Sequence, residues 1–200
     1  GYPFCRGRLL NVLEKDRGQY DTVRSLFWAT GAALMVRPAD WNAAGGFDAR
    51  FFAHFEEIDF CWRLRARERK IVCVTDSVVY HVGGGTLPAD NPRKTYLNFR
   101  NSLTMLYKNL PDDELQHVLS VRKWLDAMAW FKFFVSGDFA NAKAVRRARK
   151  DFHKWQHQFD PERKKNLEST TLFDIPERIQ RSLIYAFYVQ GKKTFAQFMS

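Results

Sequence analysis

The sequence predicts an α/β fold followed by an α-helical region, and three observations support this. Residues 70–80 are rich in β-branched side chains and are interrupted only by a polar turn, as in strands. Apolar side chains recur every three or four residues in several other segments, which is the helical period. One of these helical segments starts at residue 56, and two others cover residues 91–108 and 112–135. The composition changes near residue 109, so we expect one region over residues 1–109 and a helical, basic, aromatic-rich region over residues 110–200.

The helix expected from residue 56 has three acids in its first turn. At 100° per residue, Glu56, Asp59 and Arg63 fall on one polar side, whereas Glu57 falls within an apolar arc. A carboxylate on an apolar face costs free energy to bury in its charged form, so its pKa should rise, as in a general base. Alternatively, the macrodipole alone favours acids at this position, and Asp59 and Arg63 form an ordinary i,i+4 pair. The physics of the sequence leaves both interpretations open.

The charge of the chain predicts an anionic partner. The formal net charge is +10, while 46% of the residues are hydrophobic, enough for a sizeable core. Nucleic acid, anionic lipid and phosphorylated substrates all fit a positive charge, and charge alone does not choose among them. Cys5, Cys61 and Cys73 lack metal-ligand spacing, and we expect the latter two to be buried thiols in a reducing compartment. No apolar run approaches the roughly 20 residues that span a bilayer.

His81 follows the strand-like run and precedes a glycine-rich stretch at residues 83–85. A neutral imidazole there could bind a divalent metal, and the backbone N–H groups of such a loop could approach phosphate oxygens. For a lone histidine, a structural role before a loop is the simpler alternative.

The C-terminal region combines an apolar helix with a basic segment. Residues 124–135 are strongly apolar but too short to span a membrane, and residues 139–165 carry nine Lys/Arg against three acids. Phe152, Trp155 and Phe159 are interleaved with these cations. We expect a helical hairpin that lies on an anionic membrane surface through residues 112–165. The alternative is a helical subdomain that packs its aromatics on the first 109 residues. A last helix is predicted over residues 177–189.

Several spaced motifs in residues 7–108 resemble one enzyme family. They are Ala29-Thr30-Gly31-Ala32, Gly45-Gly46-Phe47-Asp48, Phe51-Phe52, Glu56-Glu57-Ile58-Asp59 and Arg63. In this order they are similar to the acceptor-side half of bacterial family 2 inverting glycosyltransferases, rhamnosyltransferases among them. Those enzymes have the GT-A, or nucleotide-diphospho-sugar transferase, fold. Glu57 stands where the family often has Asp, and it can do the same chemistry with one more methylene of reach.

The resemblance implies a set of site residues. Glu57, Glu56 and Asp59 would be the catalytic acids, with Glu57 as the general base. The substrate-binding residues would be Arg63, Gly31, Trp28, Gly84 and Arg100. His81 would complete a Mn²⁺ or Mg²⁺ site whose other ligands lie mostly in the nucleotide-binding half of the family's fold.

The resemblance also implies a function. The enzyme would transfer a sugar from a nucleotide-sugar donor to a cell-surface polysaccharide or a lipid-linked acceptor, in the cytoplasm at the inner face of the cell membrane. Residues 6–8 and 14–21 resemble the connector between the two halves, so we expect this chain to be a fragment that is inactive alone. The alternative is a non-enzymatic basic module that binds nucleic acid or an anionic membrane. The enzyme interpretation expects no nucleic acid partner. A glycoside hydrolase fits least, because adjacent acids on a helix point in different directions.

Overall fold

The computed structural model describes residues 1–81 and 91–200 of the chain. Its helices are α1 (Pro38–Ala44), α2 (Glu56–Ala66), α3 (Pro92–Asn109), α4 (Asp112–Val135), α5 (Phe139–Trp155), α6 (Asp160–Glu168), α7 (Leu183–Tyr188) and α8 (Phe195–Met199). Its strands are β1 (Arg8–Leu9), β2 (Val12–Leu13), β3 (Arg24–Leu26) and β4 (Ile71–Cys73). The described part is therefore mostly helical, and the α/β GT-A assignment stays a prediction.

The strands form two small antiparallel sheets. In one, β1 pairs with β2; in the other, β3 pairs with β4, so that Arg24 lies opposite Cys73 and Leu26 opposite Ile71. Only three residues of the strand expected over residues 70–80 pair in this way, because β3 offers a partner of only three residues. Cys73 is half-buried rather than buried, contrary to the prediction, whereas Cys61 is fully buried as expected.

The segment before the acidic helix has the local structure that its proline and glycines favour. Pro38 occupies the first turn of α1, where its missing N–H costs no hydrogen bond, and Gly45 ends the helix with a φ of 81°. Gly46 follows with a φ of 61°, and a Cβ there would lie 2.8 Å from the Trp41 indole. Glycine is therefore required at Gly46 both by its backbone conformation and by the ring beside it.

Helices α2 and α3 pack together and form the core next to the acids in the first turn of α2. The side chain of Asn91 caps α3 by accepting a hydrogen bond from the N–H of Arg93 at 2.8 Å, and Pro92 occupies the first turn. The helix expected over residues 91–108 is thus confirmed. The buried cluster between the two helices includes Phe51, Phe55, Ile58, Trp62, Met105 and Leu106.

Helix α5 packs along α3, so residues of the C-terminal region contact those of the first 109. Phe152 and Phe159 are buried, and the Arg50 guanidinium lies 4.1 Å from the centre of the Phe159 ring. Tyr96 of α3 donates a hydrogen bond to Asp151 of α5 at 2.9 Å. These aromatics thus follow the packing alternative. The division near residue 109 stays a prediction, and contacts cross it at several places.

The last predicted helix is shorter than expected. Only Leu183–Tyr188 is helical within residues 177–189. Two ion pairs hold the preceding residues in place. Arg178 donates to both carboxylate oxygens of Glu114 at 2.8 Å, and Glu177 pairs with Arg65. Tertiary contacts therefore override the local helical pattern here.

Within residues 1–81 and 91–200, no helix combines the length and the apolar character that crossing a bilayer requires.

Candidate functional site

Glu57 lies in the first turn of α2 and is half-buried. Its Oε2 atom is buried and has no hydrogen-bond partner among the described residues. Burial raises the pKa of this carboxyl above its ordinary value, and the neighbouring charge of Glu56 raises it further. The backbone N–H groups at the start of the helix act in the opposite direction without cancelling the rise. The pKa shift expected from the sequence is confirmed in direction.

Two neighbours of Glu57 also leave buried polar atoms without partners in the described chain: Nε2 of His54 and Oε2 of Glu56. Burial is the largest cause of a lowered pKa at His54, and Lys94 adds to it, so the imidazole is neutral near pH 7. Buried polar atoms are almost always satisfied in folded proteins. Three buried polar atoms without partners among the described residues lie within residues 54–57. A polar ligand bound at this turn could form hydrogen bonds with them.

The loop that leads into α2 has an uncommon backbone. Phe52, His54 and Phe55 have φ values of 67°, 68° and 74°, in the left-handed region that non-glycine residues rarely adopt. Each such residue costs about 1–3 kcal/mol and persists only where its surroundings enforce it. The chain therefore holds these residues in a costly conformation immediately before Glu56 and Glu57, whose Oε2 atoms have no partner in the described chain.

Asn101 and Arg100 of α3 hold this loop. The Asn101 amide nitrogen donates to the carbonyl oxygens of Phe51, Ala53 and His54 at 2.8–2.9 Å. The Arg100 guanidinium donates to the carbonyls of Arg50 and Phe51 at 3.1–3.2 Å, and to the Asn101 side-chain oxygen at 2.9 Å. Arg100 also stacks on Trp155, 4.3 Å from its ring centre. These contacts place Arg100 against the backbone of the loop.

Asp59 lies on the opposite side of α2 from Glu57 and is fully buried. Its Oδ2 accepts hydrogen bonds from Arg63 at 2.9 Å and from Lys108 at 3.0 Å, and its Oδ1 accepts one from Asn109 at 2.8 Å. Arg63 also donates to the carbonyls of Ala44 and Gly46. Asp59 and Arg63 are thus engaged with each other and with the protein. The arrangement joins α2 to the Gly45–Gly46 turn.

Gly31 and Trp28 lie on the chain beside α2. A Cβ at Gly31 would lie 3.8 Å from the Cβ of Glu57, so this exposed glycine adjoins the acid. Trp28 is half-buried and packs against the core under α2. Burial is the largest cause of the raised pKa of the Cys5 thiol; the charge of Arg8 lowers this pKa and the smaller effect of Glu57 raises it. The structure thus places Gly31 next to Glu57 and packs Trp28 against the core residues of α2.

His81 is exposed and is the last described residue before position 91, while Gly84 lies outside the described residues. In the described part of the chain, no hydrogen bond or ion pair joins His81 to Glu57, and no three His, Cys, Asp or Glu side chains cluster as metal ligands would. One exposed imidazole does not make a metal site. The described residues therefore do not by themselves fit Mn²⁺ or Mg²⁺, and ligation by His81 stays a prediction.

Sequence patterns assigned no role in this site to His54 or Asn101, although the pair Arg100-Asn101 resembles one found in this region of the glycosyltransferase family. His54 had no periodicity or motif to distinguish it, although histidine tolerates positive φ better than most residues do. Asn101 had one physical signal: a short amide inside an apolar helical pattern, where it is 1% exposed. Such a residue must have hydrogen-bond partners, and here they are loop carbonyls.

The chain has no match among protein-family models, curated proteins or solved structures. The order of its motifs therefore remains a resemblance, and the site has to be argued from its geometry.

Proposed function

We propose that this chain carries the catalytic-base portion of an inverting glycosyltransferase, with Glu57 as the general base. The observation that carries the proposal is the buried Oε2 of Glu57, which has no partner in the described chain and belongs to a carboxyl of raised pKa. A carboxylate oxygen without a partner inside the described chain is available to an incoming hydroxyl group. A raised pKa makes it a stronger base at neutral pH than an exposed glutamate.

The chemistry is a single displacement. The acceptor hydroxyl donates its proton to the carboxylate of Glu57, and its oxygen attacks the anomeric carbon of the donor sugar. The bond from that carbon to the diphosphate breaks with its electron pair on the leaving oxygen. Glu57 ends the step protonated, and Glu56 beside it favours the protonated form by charge repulsion. The configuration at the anomeric carbon is inverted.

The surrounding residues position the base. Asn101 and Arg100 fix the loop that sets the start of α2, and hence the direction in which Glu57 points. Asp59 and Arg63 anchor the first turn of the same helix from its buried side. A displacement of about 1 Å at a reacting group can cost roughly 100-fold in rate, so such anchoring matters for catalysis.

The test uses the product of the complete reading frame that encodes this chain, assayed for nucleoside diphosphate release with a panel of nucleotide sugars and lipid-linked acceptors. Glu57→Gln should lower turnover about 100- to 10,000-fold, the usual contribution of a general base, while donor binding persists. Glu168→Gln, an exposed acid on α6, is the matched control and should retain full turnover. Turnover within a few-fold of wild type in Glu57→Gln would remove Glu57 from this role.

A second readout needs no turnover. In the 200-residue chain, the side-chain carboxyl of Glu57 should titrate by ¹³C NMR above its ordinary pKa of 4.5. Addition of a disaccharide acceptor should shift this resonance and leave that of Glu168 unchanged. A titration at or below 4.5 would contradict the environment on which the proposal rests.

A further inference from the structure

The solvent side of α4 carries an apolar stripe through its second half, with the exposed Lys123 and Lys132 beside it. Val121, Trp124, Met128, Phe131 and Val135 follow at steps of three and four residues, which places them on one stripe of the helix. Their exposed fractions are 41%, 74%, 64%, 58% and 62%. We call these five residues the α4 stripe. A row of large exposed side chains of this length is uncommon on a soluble surface and marks an interaction site.

The buried side of α4 is more polar than its exposed side. Arg122 and Asp126 face inward, 3% and 0% exposed, and pair with each other at 3.1 Å. Arg149 of α5 reaches Asp126 at 2.5 Å. At Arg122 and Asp126 the usual arrangement, with apolar residues inward and charges outward, is thus reversed, whereas Leu115, Val118 and Leu119 in the first half of α4 pack inward in the usual way. The helix is already held by its charged side, so the α4 stripe remains free to bind something else.

The apolar surface continues around the tip of the hairpin. Trp130 stacks on Phe134 with ring centres 5.3 Å apart, and Phe134 meets Phe139 edge-on at 5.5 Å. Phe134 is 47% exposed and Phe139 62% exposed. Gly137 makes the turn between the helices with a φ of 77°. The exposed faces of α4 and α5 therefore meet in one aromatic tip.

The outward face of α5 is basic from this tip onward. Exposed cations follow Phe139 at steps of three or four residues: Lys143, Arg146, Lys150 and Lys154. In the described chain none of these four forms a salt bridge; those of α5 use Arg147 and Arg149 instead. We call the four residues the α5 basic row. Its uncompensated charge fits an anionic partner.

We propose that the hairpin of α4 and α5 docks on an anionic phospholipid leaflet, with the α4 stripe and the aromatic tip among the acyl chains and the α5 basic row at the headgroups. Hydrocarbon binds apolar side chains without needing their shape, and lipid phosphates bind the cations. This inference goes beyond the proposed function and does not rest on it, since Glu57 takes no part in it.

A membrane explains the two faces together better than nucleic acid does. Proteins that bind single strands place aromatics inside a basic groove, so that bases stack where the backbone is neutralised. Here the α4 stripe and the α5 basic row lie on different helices. A second copy of this chain would cover the stripe but would bring a second basic row of the same sign near the first.

The experiment measures co-sedimentation of the 200-residue chain with vesicles, either pure phosphatidylcholine or phosphatidylcholine mixed with phosphatidylglycerol. Replacing three members of the α5 basic row (K143Q/R146Q/K150Q) should weaken binding to the anionic vesicles on the order of 100-fold, from the usual contribution of each surface cation. The matched control removes three exposed cations elsewhere (K15Q/R17Q/K70Q) and should change binding far less.

A second pair of variants tests the stripe. W124S/F131S should weaken binding to anionic vesicles at least about tenfold, because each ring loses its burial in the acyl region. F173S/Y188S removes two rings of similar exposure outside the hairpin and should leave binding unchanged. Circular dichroism should show that all four variants fold, as expected for substitutions at exposed positions.

The outcomes separate the alternatives. Preference for the anionic vesicles, weakened by both hairpin variants and by neither control, supports the proposal. Equal affinity for both lipid compositions, or binding that survives W124S/F131S, overturns it. So does tight, salt-sensitive binding of a single-stranded oligonucleotide with no retention on vesicles. A dimer by light scattering that W124S/F131S returns to monomer would make a second copy the occupant and would also overturn it.

Discussion

The substitution Asn101→Ala tests whether α3 holds the loop in front of the acid cluster. Asn101 is 1% exposed, and its amide group has only two hydrogens for the three carbonyl oxygens that it contacts. Its side-chain oxygen also accepts a hydrogen bond from Arg100. The substitution removes all these contacts at once and adds none.

The expected cost follows from these contacts. Two amide hydrogen bonds contribute about 1–3 kcal/mol net, and a buried carbonyl left without a donor costs about 1–3 kcal/mol. The loop can recover part of this by relaxing Phe52, His54 and Phe55 out of their left-handed conformations. We therefore expect Asn101→Ala to lower the free energy of unfolding by about 3 kcal/mol and to open the loop locally before the chain unfolds.

Urea denaturation measures the first effect, and hydrogen exchange measures the second. The N–H groups of Phe52 and Ala53, bonded to Ala49 and Phe51 at 3.0 and 2.9 Å, should lose protection in the variant. Asn141→Ala is the matched control. Asn141 is 6% exposed and donates to Asp138 at the hairpin turn, so its loss should cost stability without exposing the loop. Unchanged hydrogen exchange at Phe52 and Ala53 in Asn101→Ala would refute the claim that Asn101 holds this loop.

Two further predictions concern the charges of α2. Glu57→Gln should raise the free energy of unfolding at pH 7. The pKa of Glu57 is higher in the folded chain than in the unfolded chain, so the wild-type chain loses stability as pH rises from 4.5 towards the folded pKa. Glutamine does not titrate, so the variant does not lose this stability. The gain should vanish in urea titrations below pH 4.5, and a gain that grew on acidification would contradict the sign. Lys108→Met should cost about 3–5 kcal/mol, because it leaves Asp59 buried with one cation fewer. Lys164 forms an exposed pair with Glu168, so Lys164→Met should lower the free energy of unfolding by less than about 1 kcal/mol in the same urea titration. Equal losses in the two variants would show that burial does not determine the contribution of these ion pairs to stability.

Local signals predicted the helices well where caps and periodicity agreed. Pro38, Pro92 and the acids at residue 56 mark helix starts, and the structure begins helices at those places. The strand over residues 70–80 and the helix over residues 177–189 were overestimated. Their extents depend on distant partners, the short β3 in one case and the ion pairs of Glu177 and Arg178 in the other. No local pattern reports such partners.

The candidate site was predictable in its acids but not in its supports. The helical projection separated Glu57 from Asp59 correctly and predicted the direction of the Glu57 pKa shift. It placed Asp59 and Arg63 on a polar side, and the structure buries that side against Lys108. A projection shows which residues share a face, but it does not show whether that face meets water or a second charged helix. The charge pattern of α3 became interpretable only with its packing against α2.

Under the proposed function, the acids of α2 combine anchoring and reactivity in one helix turn. Two residues apart means about 200° of rotation, so Asp59 and Glu57 face opposite directions from the same rigid element. Asp59 has its cations and its amide donor, and it anchors the turn. Glu57 has no partner for its buried Oε2 in the described chain, and its position depends on the turn that Asp59 fixes. The two acids should therefore respond oppositely to neutralisation, since removing the charge of Asp59 disrupts a satisfied network, while removing that of Glu57 relieves a buried charge. That opposition is expected of a turn whose buried acid serves the fold and whose unpartnered acid is kept for a ligand.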